Sequence, residues 1–126
     1  MATQTEEKSS RVLIVIDEAP FVNWDSWEGL RLSLSFYAAD IPVEILLTGD
    51  GVLNWISGMT KESQDSRSVL RFVKDIENFA VPLYLVEEDL KVHQLDVNDL
   101  TSKYPRLIVR ETAAKMIANH DSVLTM

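Results

Sequence analysis

The sequence predicts an α/β domain with three layers, α/β/α, around a mainly parallel sheet of about five strands. Three observations predict it. Short apolar runs rich in β-branched residues recur along the chain, and they are continuous instead of alternating, as in strands buried on both faces. Segments with apolar residues at helical spacing separate these runs. The chain has 126 residues, 46% hydrophobic and 25% charged, the make-up of one globular domain with one layered core. Strands that alternate with helices favour parallel pairing, because each connection must cross back over the sheet.

Residues 1–10 are polar and read as a loose tail, leaving 11–126 as the domain. Arg11 opens the first strand, Val12-Leu13-Ile14-Val15-Ile16, which ends at Asp17. A loop over 18–24 leads into a helix. Asp25 and Glu28 have capping-box spacing at its start, and Trp27, Leu30, Leu34, Tyr37 and Ala38 form its apolar stripe. Glycine inside a helix costs about 1 kcal/mol relative to alanine, so Gly29 points to close packing against a strand. Asp40-Ile41-Pro42 stops this helix.

Residues 43–48 form the second strand, and Thr48-Gly49-Asp50-Gly51 a sharp turn at its end. A helical turn over 52–56 and a polar loop over 58–65 follow. The clearest helix spans 66–79, with Val69, Phe72, Val73, Ile76 and Phe79 on one face. Residues 81–86 are the third strand; Pro82 lacks an N–H and belongs near its beginning. Residues 87–95 read as a loop and short helix, and 98–103 as a second short helix ahead of Pro105. The fourth strand spans 106–110. A helix over 112–119 turns Ala113, Met116 and Ile117 inward, and 122–126 is a short terminal strand. The chain shows no internal repeat and no low-complexity segment.

Charge and composition exclude several functions. Lys and Arg number 12 against 20 Asp and Glu, a net charge of −8. Nucleic acid and anionic membranes both require a basic face. No apolar run is long enough to span a bilayer. The first ten residues lack the basic-then-apolar form of a secretory signal, so a cytoplasmic location is expected. There is no cysteine, which removes disulfides, thiolate metal sites and thiol nucleophiles together. No residues stand at metal-ligand or cofactor-motif spacing, so neither a metal nor a cofactor is expected.

In a parallel sheet, ligands sit outside the C-terminal ends of the strands. That rule directs attention to residues 17–23, 49–51, 86–89 and 110–112, within which Asp17, Asn23, Gly49, Asp50, Gly51, Val86 and Arg110 form the candidate crevice. The Gly49-Asp50-Gly51 turn permits positive φ and close backbone approach, and its N–H groups have the chemistry to cradle an anion. It lacks the further glycines and the lysine of a nucleotide-phosphate loop, and a tight strand-to-helix turn is the favoured reading. Asp17-Glu18 resembles the paired carboxylates of a phospho-acceptor receiver, but the other acidic and lysine positions of a receiver are missing. Arg110 suits an anion, or a salt bridge to Glu111 or Asp17. His93 and His120 lack neighbours at ligand spacing and read as surface residues. Trp24 and Trp55 are candidate interface residues, while Trp27 belongs to the core. No nucleophile, base and orienting group can be assembled from spacing, so carboxylate catalysis by Asp17 and Asp50 is the weakest reading.

Four segments, taken together, resemble the DsrE/DsrF-like family, which includes subunits of the TusC and TusD type. They are Val12-Leu13-Ile14-Val15-Ile16, Trp27-Glu28-Gly29-Leu30-Arg31-Leu32-Ser33-Leu34, Leu47-Thr48-Gly49-Asp50-Gly51-Val52, and Val81-Pro82-Leu83-Tyr84-Leu85-Val86 with Asp89-Leu90 and Leu95 beyond it. The resemblance implies a small cytoplasmic α/β protein that forms trimers or hexamers, from one kind of subunit or from related ones. It implies that active subunits hold persulfide sulfur on a cysteine just after the third strand and exchange it with TusA-like carriers. The matching position here is Val86, and His93-Gln94 replaces an Arg-Gly pair common after that cysteine. Without a thiol this chain cannot carry sulfane sulfur covalently. The expected function is therefore a non-catalytic structural or regulatory partner in intracellular sulfur trafficking, joined to itself or to cysteine-bearing DsrE-like paralogues. The alternative is a small-molecule, nucleotide or anion-binding module using the crevice.

Overall fold

The computed structural model describes residues 9–59 and 65–126. Five strands, β1 (Ser9–Ile16), β2 (Val43–Leu47), β3 (Leu83–Val86), β4 (Arg106–Ile108) and β5 (His120–Thr125), lie in the order β4-β3-β2-β1-β5. Every pairing is parallel. The expected tail lies outside the described residues over 1–8, and Ser9 and Ser10 already belong to β1. The helices are α1 (Asp25–Ala38), α2 (Leu70–Asn78), α3 (Glu87–Val92) and α4 (Arg110–Ala118), with 3-10 turns at Gly49–Trp55 and Val97–Asp99.

The steps from β1 to β4 all run the same way across the sheet, and the last connection reverses to place β5 on the far side of β1. Right-handed crossovers then put α1, α2 and α3 on one face and α4 on the other. Packing shows the same split. Ile14, Ile16, Ile45, Leu47, Leu83 and Leu85 meet Leu30 of α1, Phe72, Val73 and Ile76 of α2, and Leu90 of α3. On the other face Leu13, Val15, Leu46 and Val86 meet Ala113 of α4. Ala113 is the one buried residue of α4. The domain is three-layered, with one thick face and one thin one.

Two glycines carry out close approaches. A Cβ on Gly51 would lie 1.9 Å from the carbonyl oxygen of Ile16, so the turn after β2 can press on the end of β1 only with glycine there. A Cβ on Gly29 would meet the Ile16 side chain at 3.0 Å, the strand packing that the sequence implied.

The helix ends differ from the sequence reading. Asp25-Glu28 makes no capping box: Trp24 is the N-cap without a side-chain bond, Asn23 Oδ1 accepts the Asp25 N–H at 2.8 Å, and Glu28 pairs with Arg31. The capping box that does form is Asp96 with Asp99, around the 3-10 turn. That turn replaces the helix expected over 98–103. α2 begins at Leu70, four residues later than the apolar spacing suggested, and α4 begins at Arg110, which shortens the fourth strand. Residues 60–64 of the expected polar loop lie outside the described residues.

Three helices stop in the same way. After α1, the Asp40 N–H reaches Tyr37 O and the Ile41 N–H reaches Phe36 O; Ala80 and Val81 repeat the pattern on Glu77 and Ile76, and Gln94 and Leu95 on Lys91 and Leu90. This is the Schellman arrangement, which places one residue in the left-handed region. That residue is usually glycine, yet here it is Asp40 (φ 62°), Ala80 (φ 56°) and Gln94 (φ 59°). The expected inward faces are also trimmed: Tyr37 and Phe79 are 43% and 48% exposed and stack on each other, and Ile117 is 39% exposed.

A crevice closed by its own carboxylate

The loops beyond the C-terminal strand ends converge around Asp89, on the first turn of α3. Its side chain is 6% exposed. Oδ2 accepts the Gly49 N–H at 2.7 Å and the Thr48 hydroxyl at 3.2 Å, while Oδ1 accepts from Arg110 Nη2 at 2.5 Å. Gly49 adopts φ 56°, the left-handed conformation that glycine takes without a Cβ penalty. The Arg110 N–H donates to Glu88 Oε1 at 2.8 Å. Burial pushes the Asp89 carboxyl up, but the Gly49 N–H, the bond and charge of Arg110 and the Thr48 hydroxyl outweigh it and hold it below the usual carboxylate range. The Asp89 hydrogen bond and charge raise Arg110 in turn.

The structure brings Gly49 and Arg110 of the candidate crevice together through Asp89. Asp50 is exposed, with Oδ1 3.1 Å from His93 Nε2, so His93 is partnered and half-buried. Val86, at the end of β3, is fully buried on the thin face. Gly51 packs on Ile16. Asp17 is exposed, with its backbone N–H on Met126 O. Asn23 is spent on the entry to α1. The expected partners of Arg110, Glu111 or Asp17, are replaced by Asp89. The sequence reading placed Asp89 in the strand-end stretch 86–89, Thr48 in the turn after the second strand and His93 at the surface, but counted none of the three among the crevice residues. The signal for Asp89 was its place in an acidic run directly after an apolar strand, where a helix must start.

A second polar bridge lies at the other end of the thin face. His120, expected at the surface, is buried: Nε2 is 2.6 Å from Glu44 Oε1, and Nδ1 is 2.7 Å from Met116 O. Glu44 Oε2 also accepts from the Tyr84 hydroxyl at 3.4 Å. Burial first, then the Glu44 charge, raise the Tyr84 phenol above its ordinary value.

Of the tryptophans, Trp24 is 50% exposed and sits edge-on to Trp27, which in turn meets Phe72. Trp55 is not exposed at all. Its ring is in the core and its Nε1–H donates to Ser102 at 3.1 Å, so it offers no outer surface, contrary to its sequence reading. Among the described residues, no group of three His, Asp or Glu could hold a metal ion, and no helix is long and apolar enough to cross a membrane.

The model of the DsrE/DsrF-like family matches residues 10–126. The chain belongs to the DsrE/DsrF-like family. That membership links it to sulfur relay, and DsrE-like proteins often work as oligomers or complexes. No curated protein sequence matches. Among solved structures, the YchN protein of E. coli superposes with a TM-score of 0.81 at 17% identity, covering 94% of this chain and 100% of that one. MTH1491 from Methanobacterium thermoautotrophicum, described as a protein of unknown function, gives 0.63 at 16% identity, with the same coverage of 94% and 100%. At such identities these two likenesses speak to the DsrE-like fold alone.

Proposed function

We propose that this chain is a thiol-free DsrE/F-like subunit that acts as a structural or regulatory partner in cytoplasmic sulfur relay and does not carry sulfur itself. The observation that carries the reading is chemical. A persulfide needs a thiolate to hold the sulfane sulfur and release it again, and the chain has no cysteine. Methionine thioether forms no such exchangeable bond.

The crevice supports the same reading. Val86, the position that the family resemblance matches to the sulfur-bearing cysteine, is a fully buried hydrocarbon, and Arg110 of the same strand-end region is already paired with Asp89. The anion-binding alternative has less support for the same reason. Half-exposed Trp24 supplies the aromatic contact area that partner surfaces favour. The partners proposed are a second copy of this chain or cysteine-bearing DsrE-like paralogues, with a TusA-like carrier delivering sulfur to the complex.

Two measurements test this. Native mass spectrometry of the chain mixed with a cysteine-bearing DsrE-like protein is expected to show a stable complex; free components only would refute the partnership. Incubation with a labelled sulfur donor is expected to leave no reductant-labile mass on this chain. A labile adduct that moves on to an acceptor would refute the non-carrier role.

A further inference from the structure

We propose that the crevice at the C-terminal strand ends is a carboxylate-binding site plugged by the protein's own Asp89, and that Asp89 thereby excludes external anions from it. The inference stands apart from the partner role and survives its failure.

The geometry is that of a built anion site. Donors come from two separate parts of the chain: the Thr48 hydroxyl and Gly49 N–H after β2, and the guanidinium of Arg110 at the start of α4. They do not share one oxygen. Oδ2 takes Gly49 and Thr48, and Oδ1 takes Arg110, the division that a planar two-oxygen ligand permits. The occupant is nearly dry, with a side chain 6% exposed, whereas Arg110 is 55% exposed. The cation that would greet an arriving anion therefore stands at the mouth, already satisfied from behind.

An internal carboxylate at this position has two effects. It supplies the counter-charge that Arg110 and the Gly49 N–H require, and it holds the place where an external carboxylate would lie. Being tethered, it needs no translational entropy to stay there, and a free anion cannot match that advantage.

The test is chemical rescue. Asp89→Ala keeps the Cβ and removes the carboxylate group alone, so the vacated space is that of formate. Denaturation midpoints are measured for wild type, Asp89→Ala and the Asp89→Ala/Arg110→Gln double variant in formate, acetate and chloride at matched ionic strength. Formate is expected to stabilise Asp89→Ala saturably, with acetate weaker and chloride inert. At a hundredfold excess over its dissociation constant, formate raises the folded-to-unfolded ratio roughly a hundredfold. Wild type and the double variant are expected to show no formate-specific response. An Asp89→Ala protein indifferent to formate, a wild type that responds equally, or a double variant that keeps the full response would each overturn the proposal. If Asp89→Ala is recovered unfolded, refolding followed by far-ultraviolet circular dichroism gives the readout: formate must restore the native spectrum, and failure to do so also overturns the proposal.

Discussion

The two faces of the sheet are held by different physics. On the thick face, α1, α2 and α3 bury Leu30, Phe72, Val73, Ile76 and Leu90 against the strands. On the thin face, α4 buries Ala113 alone. What anchors α4 is polar, one bridge at each end: Arg110 to Asp89 at its start, and His120, just past its end, to Glu44 and to Met116 O. Hydrocarbon burial is spread over many contacts and indifferent to pH. A polar bridge built on a largely buried carboxylate is local and directional, and removing its partner is costly. One face should therefore yield gradually to packing changes, and the other abruptly to the loss of a single charge.

Four substitutions test that contrast. The largest loss is expected on the thick face. Ile76→Ala removes a fully buried side chain and should cost about 3 kcal/mol in a urea melt, with a two-state transition kept. A cost under about 1 kcal/mol would show that the thick face is not the main source of stability.

Next comes Asp89→Asn, which removes the charge that Arg110 and the Gly49 N–H hold. A loss of about 2 kcal/mol is expected at neutral pH. The sign with pH follows from the lowered Asp89 carboxyl, whose ordinary value is 3.8. The charged form is favoured in the folded state, so its contribution is complete above that value. As pH falls, the unfolded chain takes up the proton first, and the contribution is gone once pH passes below the folded value. Melts of wild type and variant should converge in acid; a gap that stays constant with pH would refute the charge-based account.

His120→Ala is expected to cost about 1.5 kcal/mol and to speed amide exchange in α4 and β5 while leaving α1 and α2 protected. Uniform acceleration across both faces would erase the distinction between them. The smallest effect has the opposite sign. Ala80→Gly relieves a Cβ held at φ 56° and should raise stability by about 1 kcal/mol without touching either face.

Much of the layering was legible because continuous runs such as Val12 to Ile16 admit only a strand buried on both sides. Gly29 was legible too, since an unfavourable helix residue needs a packing reason. Helix ends were less so. Their usual marker is glycine, and this chain puts Asp40, Ala80 and Gln94 in the left-handed position instead. The exposure of Tyr37 and Phe79 was hidden because helical spacing fixes a face but not how far the opposing layer extends. The crevice was half legible. The rule for parallel sheets pointed to Gly49, to Arg110 and to the stretch 86–89, but not to the bonds that join them: Asp89 is 40 residues from Gly49 and 21 from Arg110, and spacing says nothing at that range. His120 and Trp55 were misread for a similar reason, because Glu44 and Ser102, which satisfy them, lie far away along the chain.

The position of β1 has a consequence for biosynthesis. This strand leaves the ribosome before the other four, yet one of its two neighbours is β5, the last to emerge, with the Met126 N–H on Val15 O closing the seam. Until then the apolar run Val12 to Ile16 waits with a bare edge. Synthesis must outrun aggregation over the whole interval from β1 to β5, which makes the nascent chain a natural client for a holding chaperone.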